Sequence, residues 1–324
     1  MRAVVTGGAG FIGSHLVDAL IARGYAVTVV DDFRTGREEN LAQAGDGVNL
    51  VRADLAVDSL AGVVQKGDHV FHLAGMADIV PSIEQPRDYF AANVQGTFNI
   101  LEAARAAGAA RFVYTASSTC YGIPDVYPTP EDAPVDTRYP YALTKYQGEL
   151  LVRHWQQVYG VPAVSLRFFN VYGPRSRTTG AYGAVFGVFL AQKLGGHPFT
   201  VVGDGEQKRD FTYVSDVVDA LVLAAQSNLS GQVVNIASGT PQSINRLVEL
   251  LGGEVVHIPK RPGEPDITWA DTARARELLG WEPKVSFEDG VQRMLEHIEL
   301  WREAPVWTPE SIGKATETWF ANLS

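Results

Sequence analysis

The chain has 324 residues, of which 46% are hydrophobic and 20% charged, with a net charge of −10. That size and balance fit a water-soluble globular protein with one large α/β domain or two lobes. An acidic chain with no Lys/Arg-rich block argues against nucleic acid or a membrane surface as partner, and a single cysteine, Cys120, cannot form an internal disulfide.

The first residues open directly on the apolar run 2–6, with no leader-type stretch and no run of membrane-spanning length, so a cytoplasmic enzyme is expected. Residues 2–6 predict a buried strand and 14–24 an amphipathic helix stopped by Gly24. Further strands are expected at 26–31, 48–54, 69–75 and 111–117, with Ala-rich helical stretches between them, most clearly 89–108. A second long helix, 141–160, leads into a strand at 163–170. Strand alternating with helix implies right-handed parallel βαβ units, hence an α/β, doubly wound parallel sheet over residues 1–170. From 171 onward the elements shorten and Gly and Pro multiply, which marks a smaller, mainly substrate-covering lobe from 171 to 324. Residues 200–214 resemble an irregular hairpin turning at Gly203-Asp204-Gly205, and about 210–240 is expected to return to the first sheet.

Between the first strand and helix, "TGGAGFIG" places Gly7, Gly10 and Gly13 where a tight turn brings backbone close to a pyrophosphate at a helix N-terminus. The spacing is GxxGxxG, and a glycine in any strand-to-helix turn can be structural. Asp31 ends the next strand, eighteen residues after Gly13, where a carboxylate would bond both ribose hydroxyls of an adenosine and repel a 2′-phosphate. NAD is therefore favoured over NADP. Asp32 reads as a turn residue, and Arg34 is the main feature that would suit a phosphate instead. In "YALTK", Tyr141 and Lys145 stand one helical turn apart on one face. An ammonium beside the phenol, with a cationic nicotinamide, would lower the tyrosine pKa toward neutrality and make a base for an alcohol whose carbon loses hydride. Seven histidines are scattered; His69 and His72 fall on opposite faces of one strand, which suits packing rather than metal ligation, so no metal is expected.

Taken in order, "TGGAGFIGSHL", "VVDDF", "HLAG", "NVQGTFNILEAA", "SSTCYG", "YALTK", "RFFNVYGPR", "RDFTYVSDV" and "RPGEPD" resemble the NAD-dependent sugar epimerase/dehydratase branch of the extended short-chain dehydrogenases, and they cover nearly the whole chain. The resemblance implies a Rossmann-type sheet that binds NAD. Gly7, Gly10, Phe11, Ile12 and Gly13 would cradle the pyrophosphate, and Asp31 with Asp32 would sit at the adenosine ribose. Asp54 and Leu55 would flank adenine. Leu73, Ala74 and Gly75 would run beneath the cofactor, with Asn93 and Phe168 also on its side. Tyr141 would be the base, Lys145 its partner on the nicotinamide ribose, and Ser117 the partner of the reacting sugar oxygen. Ser118, Thr119, Asn170, Arg209, Arg261 and Thr268 match substrate positions, with Asn170 and the two arginines at the diphosphate. Read without the family, Arg209 is a surface ion pair with Asp210 and Arg261 a solvated loop charge.

Members on this scaffold oxidise C4 of a nucleotide-linked hexose to a 4-keto intermediate and then diverge. Dehydratases carry an Asp-Glu pair that aligns with Ser118 and Thr119, and decarboxylases carry a Glu at the latter. Two hydroxyls cannot act as carboxylate acid or base near neutral pH, which favours 4-epimerisation. A dehydratase would need an acid from elsewhere, such as Asp78 or Glu84, and a non-catalytic dinucleotide sensor would have no use for Tyr141. Val80 stands where glucuronate-using relatives carry an arginine, so a neutral hexose is favoured, and Thr268 leaves room for an N-acetyl group. UDP is expected as the commonest nucleotide of this branch, although the unusual segment 175–189 leaves other hexoses and nucleotides open. The apolar faces of helices 89–108 and 141–160 would pair across a two-fold axis in a homodimer. The C-terminal stretch 307–324 carries no motif; its aromatics read as packing on the small lobe.

Overall fold

The apolar runs of the first half become neighbouring strands of one parallel sheet. In the computed structural model, which describes residues 1–176 and 184–323, these are β1 (Arg2–Thr6), β2 (Ala26–Asp31), β3 (Val48–Arg52), β4 (His69–His72), β5 (Arg111–Ser117) and β6 (Ala163–Phe168). A seventh strand, Gln232–Ile236, adds beside β6, so the order runs Gln232–Ile236, β6, β5, β4, β1, β2, β3. The sheet is parallel throughout, and such a sheet must be covered on both faces, which is why its strands read as continuous apolar runs.

Period-two alternation divides the core between those faces. Ala3, Val5 and Phe71 pack with Leu16, Val17 and Leu221, beneath α1 (Phe11–Ala22) and the helix Val214–Gln226. Val4, Val70 and Phe112 pack with Ile100, Leu101 and Val152 on the other face. The helices there follow α2 (Ile79–Glu84) and α3 (Pro86–Phe90); they are α4 (Gly96–Ala107) and α5 (Pro140–Tyr159). Proline at the first position opens α5, and Gly160 at φ +67° closes it in the left-handed conformation that glycine adopts at least cost.

Two expectations need correction. The helix expected over 89–108 is three pieces, because a π turn at Ala91–Gln95 separates α3 from α4. The Thr97 hydroxyl donates to the Asn93 carbonyl at 2.6 Å across that turn. The expected hairpin at 200–214 does not form. Phe199–Val202 pairs with Val255–Ile258, Lys208–Arg209 with Gln242–Ser243, and Phe211–Tyr213 with Asn170–Tyr172. The glycine turn is present, with Gly203 and Gly205 both at positive φ, but the strands on its two sides find different partners. Tyr172, Phe211 and Tyr213 of the last pair form an aromatic cluster with Phe186 and Phe287.

Candidate active site

The chain crosses from one half of the sheet to the other between β1 and β4, and in parallel sheets that reversal opens a crevice at the strands' carboxyl ends. Gly7 leaves β1 at φ +69°, and a Cβ there would lie 2.7 Å from the Ala74 nitrogen. A Cβ at Gly13 would lie 2.1 Å from the Gly7 carbonyl, so no side chain fits at either position. Gly10 caps α1 without a side-chain bond, and the first turn of α1 has no acidic residue. Its free N–H groups thus face the crevice as an anion site. Asp31 ends β2 buried, its carboxylate accepting the N–H groups of Ala9 and Phe33 at 2.9 Å each, while burial raises its pKa. Arg34 is held by Asp32 at 3.4 Å and Asp54 at 3.3 Å. Its charge is matched by two carboxylates, which makes it a poor partner for a 2′-phosphate and suits NAD.

The resulting crevice is lined by every expected cofactor residue between Gly7 and Gly75. Asn93 and Phe168 fall elsewhere. Phe168 packs in the hydrophobic core. Asn93 is buried in the π turn, where Oδ1 accepts the Met76 N–H at 2.7 Å and Nδ2 donates to the Met76 carbonyl and the Thr144 hydroxyl. It holds the 73–77 strip in place rather than reaching into the crevice. Sequence reasoning missed His72, which no surface-facing pattern marks. Its Nδ1 accepts from Thr6 at 2.7 Å and its Nε2 donates to Thr97 at 2.9 Å, while the Ala74 N–H donates to Thr6 Oγ1. Burial pushes the His72 pKa down to about 3, so the ring is neutral.

The second cavity holds Ser117, Ser118, Thr119, Tyr141, Asn170, Arg209, Arg261 and Thr268 in its wall. Ser117 ends β5, and its Oγ lies 2.9 Å from Thr119 Oγ1 and 3.4 Å from the Tyr141 hydroxyl, which donates to it. One turn along α5, the buried Lys145 places its ammonium over the Tyr114 ring at 4.5 Å and just behind Gly75. Burial lowers Lys145 to about 7, against a smaller raising by Glu149, itself paired with Arg167 at 2.7 Å. Tyr141 departs from expectation: burial, reinforced by Asp78, raises its pKa above the ordinary phenol value despite the bond to Ser117. The protein alone keeps the phenol protonated, so any lowering must come with a cationic nicotinamide.

Arg209 pairs with Glu264 at 2.7 Å rather than with Asp210, whose carboxylate is buried accepting from Ser238, Gly239 and Ala270. The Thr268 hydroxyl donates to Asn170 Oδ1 at 2.8 Å and accepts the Asp210 N–H. Asp78 and Val80 also line this cavity, whereas Glu84 accepts a bond from Thr318. Residues 177–183 of the unusual 175–189 segment lie outside the described residues. The Cys120 thiol is buried, with its pKa pushed up to about 12, which makes it a packing residue and no nucleophile. Among the described residues no group of three His, Cys, Asp or Glu side chains could hold a metal ion, and no helix is long and apolar enough to cross a membrane.

A glycine-lined crevice continues along residues 73–80 toward Ser117 and Tyr141, an arrangement that suits a nicotinamide-dependent enzyme acting on an alcohol carbon. Residues 3–237 match the NAD dependent epimerase/dehydratase family. A UDP-glucose 4-epimerase of Mycolicibacterium smegmatis is 38% identical over 91% of this chain and 98% of its own. UDP-glucuronic acid decarboxylase 1 of Arabidopsis thaliana is 37% identical over 91% of this chain and 69% of its own. The structure of a UDP-N-acetylglucosamine 4-epimerase from Methanobrevibacter ruminantium superposes with a TM-score of 0.88 at 32% identity, covering 92% of this chain and 98% of that one. The chain belongs to the NAD-dependent epimerase/dehydratase family.

Proposed function

We propose that the protein interconverts the C4 epimers of a UDP-linked neutral hexose, with residues 1–170 carrying NAD and most of 171–324 covering the substrate. The observation that carries this reading is the wall beside Ser117. Positions 118 and 119, next to the reacting centre, are Ser and Thr, and both line the cavity with hydroxyls where elimination chemistry needs carboxylates.

NAD, which Gly7, Gly10, Gly13 and Asp31 would hold, would supply the acceptor and donor for the hydride at C4. Tyr141 accepts the proton of the C4 hydroxyl, and Ser117, within bonding distance of the phenol, holds the same oxygen. Lys145 sits one turn along α5, where it holds the nicotinamide ribose beside the phenol. The 4-keto sugar would turn within this cavity so that C4 presents its other face to the hydride donor, and Tyr141 gives the proton back to the oxygen. Arg209 and Arg261 anchor the diphosphate while the sugar turns. Thr268, small and already bonded to Asn170, leaves space for an N-acetyl group. Exposed apolar side chains on the outer faces of α3, α4 and α5, among them Phe90, Phe98, Leu143 and Leu150, support a homodimer formed through these helices. The single, buried cysteine and acidic composition fit the cytoplasm.

Asp78 supports a second reading, since it lines the cavity and acts electrostatically on Tyr141. A carboxylate there offers the acid or base that a dehydratase requires. Purified protein mixed with UDP-glucose and with UDP-N-acetylglucosamine separates the two by NMR and mass. An epimerase gives the C4 epimer at unchanged mass; a product lighter by one water means elimination.

A further inference from the structure

The C-terminal segment, which carries no sequence motif, folds back over the second cavity. The helix Pro309–Ala315 is entered through a capping box at Thr308 and Ser311, and the helix Glu317–Leu323 follows it. This last helix packs against α2, and the Thr318 hydroxyl donates to Glu84 at 3.0 Å. Trp319 is buried at 6% exposure and forms part of the cavity wall. Its indole N–H donates to the Pro262 carbonyl at 2.7 Å, and the Arg261 guanidinium lies 5.6 Å from its ring centre. At Gly263, φ +69°, a Cβ would meet the Leu323 carbonyl at 3.1 Å, so the tail and the 260–265 loop are in close backbone contact.

A pair of arginines that receives a diphosphate has to converge, and each long side chain loses rotamer freedom in doing so. Glu264, in the same loop, bonds Arg209 at 2.7 Å and approaches Arg261 at 3.6 Å, so one carboxylate holds both cations. It also offsets the charge that would attract an anion. An aromatic face holds a guanidinium in place without neutralising it. We propose that Trp319 is a positioning residue for the substrate diphosphate: the tail helix fixes the 260–265 loop and presents Arg261 toward the cavity. This inference rests on Arg209 and Arg261 being the diphosphate pair. Trp319 acts through its contacts with Pro262 and Arg261, so its contribution belongs to binding rather than to the chemical step.

The test uses the full chain loaded with NAD, with UDP binding measured by calorimetry and UDP-glucose turnover by coupled assay. Trp319→Leu keeps bulk but removes the π face, and Trp319→Phe keeps a π face but removes the N–H. Trp319→Leu is expected to weaken UDP binding and raise KM about fivefold to tenfold, with kcat changed less than about threefold, and Trp319→Phe to recover part of the loss. In an Arg261→Ala background, Trp319→Leu should add less than about twofold, because the two residues act as one unit. UDP binding within about twofold of the parent in both Trp319 variants, with Arg261→Ala clearly weakened, overturns the role of Trp319 and leaves the arginine pair standing. Full additivity of the double variant also overturns it. Parent-like UDP binding by both Arg209→Ala and Arg261→Ala overturns the diphosphate reading itself.

Discussion

Replacing His72 by Gln should produce a stability defect that fades in acid. The ring is fully buried, with Thr6 donating to Nδ1, Nε2–H donating to Thr97, and Thr97 donating to the Asn93 carbonyl. A second ring proton, on Nδ1, would meet the hydroxyl proton that Thr6 donates there and force that hydroxyl to turn away in a buried site. Burial places the folded-state pKa at about 3, against an ordinary histidine value of 6.5. The folded pKa is thus depressed, the unfolded chain binds the extra proton, and stability falls as pH drops from 6.5 toward 3. At about 1.4 kcal/mol per pH unit, the parent loses roughly 2 kcal/mol between pH 7.5 and pH 5 through this residue alone. Gln mimics the neutral ring, accepting at one atom and donating at the other, without titrating. Urea unfolding at pH 7.5 should find His72→Gln less stable by about 1–3 kcal/mol, with the gap narrowing by roughly 2 kcal/mol at pH 5. Other titrating groups are common to both proteins and cancel. A gap that stays constant between the two pH values would refute the buried neutral ring.

Tyr141→Phe should retain NAD, measured as nucleotide released on denaturation, while turnover falls about 10²–10⁴-fold, the usual contribution of a positioned acid–base group. Gly13→Ala, whose methyl would lie 2.1 Å from the Gly7 carbonyl, should lose bound NAD altogether, read by the absorbance of the released nucleotide. Glu149→Gln leaves the buried Arg167 guanidinium without its counter-charge, and thermal or urea unfolding should show a loss of about 3–5 kcal/mol. Pairing it with Arg167→Met should recover part of that loss, since no buried charge is then stranded.

The strands, the phosphate turn and the helix carrying Tyr141 and Lys145 were legible because each is set by local pattern: apolar alternation, glycine between strand and helix, and one-turn spacing. The same holds for Ser117, which ends β5 where an apolar strand meets hydroxyls. The π turn at Ala91–Gln95 was not legible, because a bulge of one residue leaves the apolar periodicity on either side intact. Nor was the role of His72, whose partners Thr6 and Thr97 are 66 and 25 residues away. The hairpin expected at 200–214 failed for a related reason: the turn residues were right, but strand partners are a tertiary choice. The raised pKa of Tyr141 lay out of reach because spacing places a lysine on the same face but says nothing of how deeply both are buried. Trp319 belongs to a tail whose docking site is built by residues 79–84 and 260–265.

The central claim is that the hydrogen leaving C4 returns to the same carbon while Tyr141 only moves the hydroxyl proton. UDP-glucose carrying deuterium at C4 tests it directly. The account predicts UDP-galactose with the deuterium retained at C4, unchanged substrate mass and no net reduction of the cofactor. Deuterium lost from C4 to solvent, deuterium appearing at C6, or a product lighter by one water would contradict it.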